Sequence, residues 1–257
     1  WQHILGIGLL LASSISRPLD RLRLRIEGMA RGQLDSAVPH TDFQNDVGAI
    51  ARALTVLQDA AREVEVLHWI KSNTADIVAS VLPLETLNAF ANTLLARLAP
   101  LVGAQSGLLY VLDRPGHQYT LAGVAGVVDP AALTPAFVNQ EGLLGQGTQP
   151  ARLVGASQAT REHSPGLTGL AAGETGSVLM IPVMLAGKTQ VLAVLVLSTP
   201  AGALDPRHEA LLEELLPLVA LNLEIFERNQ VTQNLMKQAQ EQAHDLRQSE
   251  AVLQVQQ

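Results

Sequence analysis

Residues 178–197, VLMIPVMLAGKTQVLAVLVL, form the longest apolar stretch of the chain, and their reading decides the fold. As one helix they would be long enough to span a bilayer, which takes about 20 residues. Ala186-Gly187-Lys188-Thr189-Gln190 interrupts the middle with turn-forming and polar residues, leaving apolar runs of 8 and 7 residues rich in Val, Leu and Ile. Short apolar runs on either side of a turn signal make a buried β-hairpin rather than a lipid-spanning helix.

Upstream, Gly107–Asp113 and Tyr119–Val127 are strand-like, and Arg114-Pro115-Gly116-His117 between them is a turn signal. Pro130–Val138 is expected as a short helix and Arg152–Val154 as a short strand. A helix over Leu84–Leu101 shows Leu87, Phe90, Leu94, Leu95 and Leu98 on one face, after a break at Pro83 and before a close at Gly103. Downstream, Asp205 is an N-cap and Pro206 a first helical residue. The helix that follows carries Leu211, Leu212, Leu215, Leu216, Val219, Leu223 and Phe226. Strands flanked by helices in this order predict an antiparallel sheet with helices packed on one face.

A different pattern fills residues 15–65. Ile15, Leu19, Leu22, Ile26 and Met29 are spaced 4, 3, 4, 3, a heptad seam, and Gly32 ends it. Val47, Ile50, Leu54, Leu57, Ala61 and Val64 make a second seam, with Asp46 where a carboxylate suits the helix dipole. Pro18 lies in the first turn of the first seam, where a missing N–H is tolerated if the helix is kinked or restarts there. The 14 residues Gln33–Asp46 between the seams exceed what an antiparallel hairpin needs. Extended, they reach roughly 46 Å, against about 24 Å for a 16-residue helix. The connector can therefore run back along the first helix and start the second parallel to it, with Leu34 and Val38 as apolar anchors. Two parallel helices cannot cover both seams alone, so a homodimer is expected, its four helices closing one bundle.

Ile15-Ser16-Arg17-Pro18-Leu19, Met29-Ala30-Arg31-Gly32-Gln33-Leu34 and Asn45-Asp46-Val47-Gly48 together resemble the HAMP domain, a relay module that follows the last membrane helix of bacterial sensor kinases and chemoreceptors. That family usually has Asp-Glu before the apolar residue and the glycine; here the pair is Asn45-Asp46. The second half resembles a GAF domain. The likeness rests on Ala104-Gln105-Ser106-Gly107-Leu108-Leu109-Tyr110, Glu141-Gly142-Leu143-Leu144-Gly145-Gln146, the two halves of the 178–197 hairpin and the Asp205-Pro206 helix start. The resemblance implies a small-molecule sensor or a dimerisation module, with PAS as the nearest architectural alternative. The fold expected is an α+β multidomain chain. A parallel helical HAMP bundle (15–65) precedes an α/β GAF domain with an antiparallel sheet (66–228) and a C-terminal coiled-coil helix (229–257).

Composition narrows the chemistry. The 257 residues carry a net charge of −7, so a nucleic-acid partner is not expected. Cysteine is absent, which excludes disulfides, thiolate metal sites, covalently attached bilin and thiol-based methionine sulfoxide reduction. His3, His40, His68, His117, His163, His208 and His244 never fall at the i, i+3 or i, i+4 spacing of a helical metal site. Gly142, Gly145 and Gly147 lack the following Lys-Ser or Lys-Thr of a phosphate cradle. The Asn-Lys…Phe…Asp-Glu pattern of cyclic-nucleotide GAF domains is missing as well. A GAF ligand, if one exists, is unidentified; residues 156–174, with Arg161, Glu162 and His163, are the segment that would cover it. No catalytic site, cofactor or metal is expected in this chain.

The apolar run Ile4–Ala12, followed by Arg17, Arg21, Arg23, Arg25 and Arg31, reads as the end of a transmembrane helix (1–14) with its basic flank on the cytoplasmic side. Residues from about 15 onward are then cytoplasmic, at the inner membrane. At the other end, Met236, Ala239, Ala243, Leu246 and Leu253 fit a seam flawed by Glu250. Asp245-Leu246-Arg247-Gln248-Ser249-Glu250 resembles the linker before the kinase core of hybrid sensor histidine kinases. The resemblance implies a relay from the membrane to a kinase core, where ATP and Mg would act, and a response regulator or receiver domain as partner. The input region of a diguanylate cyclase or chemoreceptor, or a small-molecule-binding GAF regulatory module, are the alternatives. The residues expected to carry the relay are structural: Pro18, Leu19, Leu22, Ile26, Met29, Leu34, Val38, Asp46, Gly48, Ile50, Leu54 and Leu57.

Overall fold

The structure, a computed structural model, describes residues 2–114, 116–127, 131, 133–139, 144, 145, 147, 148, 154–156, 177–185, 187, 188, 190–199 and 204–255. Side chains are described from residue 16 onward, except at 154–156, 177, 234 and 244–255. Among these residues there are four helices, α1 (Gln2–Ala30), α2 (Asp46–Val81), α3 (Leu87–Leu101) and α4 (Pro206–Val255). The six strands are β1 (Ser106–Asp113), β2 (Gln118–Ala125), β3 (Ala136–Val138), β4 (Val154–Ala156), β5 (Ser177–Met184) and β6 (Val191–Thr199). The chain divides into two compact units, Trp1–Lys71 and Ser72–Gln257. The division falls inside α2, six residues past the 65/66 boundary read from the sequence.

In the second unit the strands form one antiparallel sheet in the order β3-β2-β1-β6-β5-β4. The stretch 178–197 is its β5–β6 hairpin, from Ser177↔Thr199 to Met184↔Val191. β6 is buried along its whole length, which explains its unbroken apolar run: it lies inside the sheet and is covered on both faces. α3 packs on β1 and β2, and α4 on β5 and β6. The α3 contact is close enough to require glycine on the sheet. A Cβ at Gly123 would lie 2.5 Å from the Ala91 Cβ and 2.8 Å from the Ala91 carbonyl carbon. Asn92 Oδ1 accepts from the Val124 N–H at 2.8 Å, and Phe90 meets Phe226 of α4 edge-on at 5.3 Å. α3 starts at a Thr86 cap, and α4 starts as the sequence predicts. The Arg207 N–H donates to Asp205 Oδ1 at 3.0 Å, and Pro206 is the first helical residue.

One element differs from the sequence expectation. Within 130–138, residues Ala136–Val138 are a strand, pairing with Gln118–Thr120 at the sheet edge. Pro135 disfavours helix at the residue before it, and Phe137 and Val138 are strand formers. The Pro135 carbonyl accepts the Leu121 N–H at 2.9 Å, which seats β3 beside β2.

The sheet face opposite the helices holds Leu108, Tyr110, Tyr119, Met180, Val194 and Val196, closed over by Leu133 and Leu144. Its two phenols are satisfied internally. Tyr110 Oη donates to the Thr134 carbonyl at 2.9 Å, and Tyr119 Oη to the Val191 carbonyl at 3.0 Å. Phe137 stacks on Tyr119 and meets Tyr110 edge-on, both at 5.1 Å. Burial pushes the Tyr110 phenol from 10.0 up to about 12 and raises Tyr119 as well. The stability these neutral phenols contribute is present below pH 10, the ordinary value, and is lost as pH rises through the folded values. These are the only two tyrosines. Tyrosinate absorbance should therefore rise at higher pH in the folded protein than in the urea-unfolded chain. Coincident rises in the two would show phenols open to water.

Candidate signal-relay site

The relay residues named from the sequence divide into two sets in the first unit. Leu22, Leu34, Val38 and Leu54 are buried, with Met29 partly buried against them. Val47 and Ala51 complete this core. Pro18 is buried inside α1, which runs through it unbroken, and Gly48 is buried in the first turn of α2. Leu19, Ile26, Ile50 and Leu57 face outward, Ile26 at 48%, Ile50 at 47% and Leu57 at 61% exposure. Asp46 is exposed in the first turn of α2.

The second seam is thus two seams. Val47, Ala51, Leu54 and Gln58, spaced 4, 3, 4, point inward and are buried. Ile50, Ala53, Leu57, Ala60, Val64 and Leu67, spaced 3, 4, 3, 4, 3, are all exposed. A helix with apolar heptads on two faces can pack against its own chain and a second surface at once.

Hydrogen bonds order the connector along both helices. Arg25 of α1 donates from Nη1 to the Gln33 carbonyl at 2.7 Å and from Nη2 to the Leu34 carbonyl at 3.2 Å. Gln58 of α2 donates from Nε2 to the same Leu34 carbonyl and, at 3.0 Å, to that of Ser36. Arg52, nearer the start of α2, donates to the Thr41 carbonyl at 3.1 Å and the Phe43 carbonyl at 2.9 Å. The beginning of the connector therefore lies level with Arg25 and Gln58, and its end with the start of α2. Val38, farther along, packs with Leu22, farther back in α1. The connector runs back along α1 and α2 returns beside it, so the two helices are parallel.

The α2 start is built around a cap and a close approach. Asn45 Oδ1 accepts the Gly48 N–H at 3.1 Å, and the Asn45 carbonyl accepts the Ala49 N–H at 3.0 Å. Asn45 is thus the N-cap, and the carboxylate of Asp46 adds only its charge at the helix end. The asparagine that stands in place of an acidic residue serves the cap as well as aspartate would. The Phe43 carbonyl passes directly over Gly48.

The roles of Arg25, Gln58, Arg52 and Asn45 as connector and cap ligands escaped the sequence reading. A signal was present for two of them: Arg25 stands three residues after Leu22 and Gln58 four after Leu54, polar residues in apolar heptad layers. Gln58→Leu keeps the volume but strips donors from the Leu34 and Ser36 carbonyls. It should lower the urea-unfolding stability of this unit by about 1–3 kcal/mol. Unchanged stability would show that the connector carbonyls find water instead.

Other candidates resolve differently. The Gly147 N–H donates to the Leu144 carbonyl at 3.0 Å and the Thr148 N–H to the Gly145 carbonyl at 3.3 Å, so neither is presented to a phosphate. Gly142, the start of the 152–154 segment, and the covering segment from 157 onward with Arg161, Glu162 and His163 lie outside the described residues. Among the described residues no group of His, Asp and Glu is placed to hold a metal ion. No helix among them is long and apolar enough to cross a membrane.

The chain was compared with known proteins. A HAMP domain family model matches residues 10–63, and a GAF domain family model matches residues 85–224. No curated protein matches. Similar solved structures include the GAF domain of an Acinetobacter phosphoenolpyruvate-protein phosphotransferase, 22% identical with a TM-score of 0.47, covering 60% of this chain and 93% of that one. The free methionine-R-sulfoxide reductase of Neisseria meningitidis is 17% identical with a TM-score of 0.48, covering 62% and 91%. A GAF domain assigned to a sensor histidine kinase of Pseudomonas syringae pv. tomato is 17% identical with a TM-score of 0.45, covering 70% and 99%. HAMP followed by GAF makes the chain a signalling input region. With the GAF model covering more than half of its length, the chain belongs to the GAF family and carries a HAMP module ahead of that domain.

Proposed function

We propose that this chain is the HAMP-GAF relay of a membrane-bound sensor histidine kinase of hybrid type in a two-component system. It would act as a homodimer at the inner membrane. The observation that supports this most is the second heptad face of α2, Ile50 to Leu67, left exposed beside a face already buried within the chain. A parallel partner copy covers that face and completes a four-helix bundle. In the second unit α4 also exposes Leu218, Leu221 and Ile225, spaced 3 and 4, so the same partnership extends to the GAF domain.

In this reading the membrane end of α1 carries the stimulus. Displacement of α1 changes how its inward layer, Leu22 and Met29, seats against Val47, Ala51 and Leu54. Packed layers exchange between discrete arrangements rather than deforming smoothly, so the bundle has two states. α2 and then α4 pass the state on to a kinase core. Within this chain no group is asked to do chemistry. The Asp245–Glu250 linker likeness favours the kinase over a cyclase or chemoreceptor output.

The test is an assay of the whole gene product in membranes with labelled ATP. Acid-labile phosphate on the protein is the expected result. No phosphate, with GTP converted to cyclic diguanylate, would replace the kinase by a cyclase.

A further inference from the structure

α4 stops being covered at one turn. Leu223 is buried and Phe226 half-buried, whereas every described side chain from 228 to 243 is exposed. Both central hairpins of the sheet reach this turn. Arg114, at the end of β1, pairs through Nε with Glu227 Oε1 at 2.8 Å. Lys188, in the β5–β6 turn, pairs through Nζ with Glu224 Oε1 at 3.2 Å, and Arg228 reaches the same oxygen at 2.8 Å. Glu224, Glu227 and Arg228 share one helix face at i, i+3 and i+4. They line a cleft of about 390 Å³ with Arg114, Val231 and Thr232. The Glu224 side chain is only 11% exposed. Hydrogen bonds from Arg228 and then Lys188 hold its carboxyl below the usual range.

Isolated surface ion pairs contribute little to stability. These pairs have a different consequence: they tie two loops, 74 residues apart in sequence (Arg114 to Lys188), to one helical turn at the exit from the domain. We propose that the β1–β2 and β5–β6 hairpin ends form an ionic clamp on α4 at Glu224–Arg228, which sets where the helix leaves the sheet. A shift of either hairpin then moves the base of the rod. The clamp itself stands on the geometry; its use in signalling rests on the relay reading.

Amide hydrogen exchange on the intact chain tests it. Arg114→Glu sets a carboxylate against Glu227 and should speed exchange of α4 amides 225–235 by about three- to ten-fold, with the amides of β1 and β6 unchanged. The swap Arg114→Glu with Glu227→Arg should restore the parent rates. Lys188→Glu should act on the same amides. Parent rates in both Arg114→Glu and Lys188→Glu would overturn the clamp. So would acceleration that spreads to the strands, or that the swap fails to reverse. Absence of labelled phosphate from the parent whole protein, with these rates as expected, would count against the kinase reading alone.

Discussion

Gly48→Val is expected to open the first unit. A Cβ at this position would lie 1.8 Å from the Phe43 carbonyl oxygen and 2.5 Å from its carbon, inside any permitted contact. The obstacle is backbone, so no rotamer change relieves it. Either α2 starts later, losing the Asn45 cap, or the connector lifts and breaks the Arg52 bonds to the Thr41 and Phe43 carbonyls. Overpacking of this kind costs roughly 1–3 kcal/mol, and a lost cap adds about 1 kcal/mol. Urea unfolding followed by circular dichroism should show the first unit melting early while the second keeps its transition. Gly48→Ala meets the same oxygen and should show most of the loss. A parent-like transition in both would mean that the connector is free to move away.

Leu57→Asp is expected to separate the copies without unfolding them. In one chain Leu57 is 61% exposed, so an aspartate there meets water and costs only a few tenths of a kcal/mol in helix propensity. In the dimer the same site is covered on both copies, and an unpaired buried carboxylate costs several kcal/mol. About 3 kcal/mol is already more than a hundred-fold in dimer affinity. Leu54→Asp makes the contrast. Leu54 is 7% exposed inside the chain's own core, so that variant should unfold the first unit as well. If Leu57→Asp and Leu54→Asp behaved alike, the division of α2 into inward and outward faces would be wrong.

Much of the fold was readable from periodicity. The hairpin at 178–197 was legible because Gly187 and Lys188 break a run whose β-branched halves suit a buried strand. The α4 start was legible because Asp205-Pro206 carries its own capping chemistry. The 130–138 segment was not, because its strand character comes from pairing with Gln118–Thr120, a contact no local pattern reports. The heptad spacing of α2 revealed a seam but merged its two faces. Ala51 and Gln58, which point inward, are a small and a polar residue and do not register as a hydrophobic repeat. The bonds that Arg25 and Gln58 make to the connector left only one mark, polar residues in apolar heptad layers; their partners are backbone carbonyls, which are the same at every position of a sequence.

The central claim is that α2 needs a second copy of the chain. Sedimentation equilibrium of the intact cysteine-free chain measures this directly. The account predicts a mass twice the 27.4 kDa of one chain, falling toward 27.4 kDa in Leu57→Asp with helix content retained. A parent chain that stays at 27.4 kDa at all concentrations, with its helices formed, would contradict it.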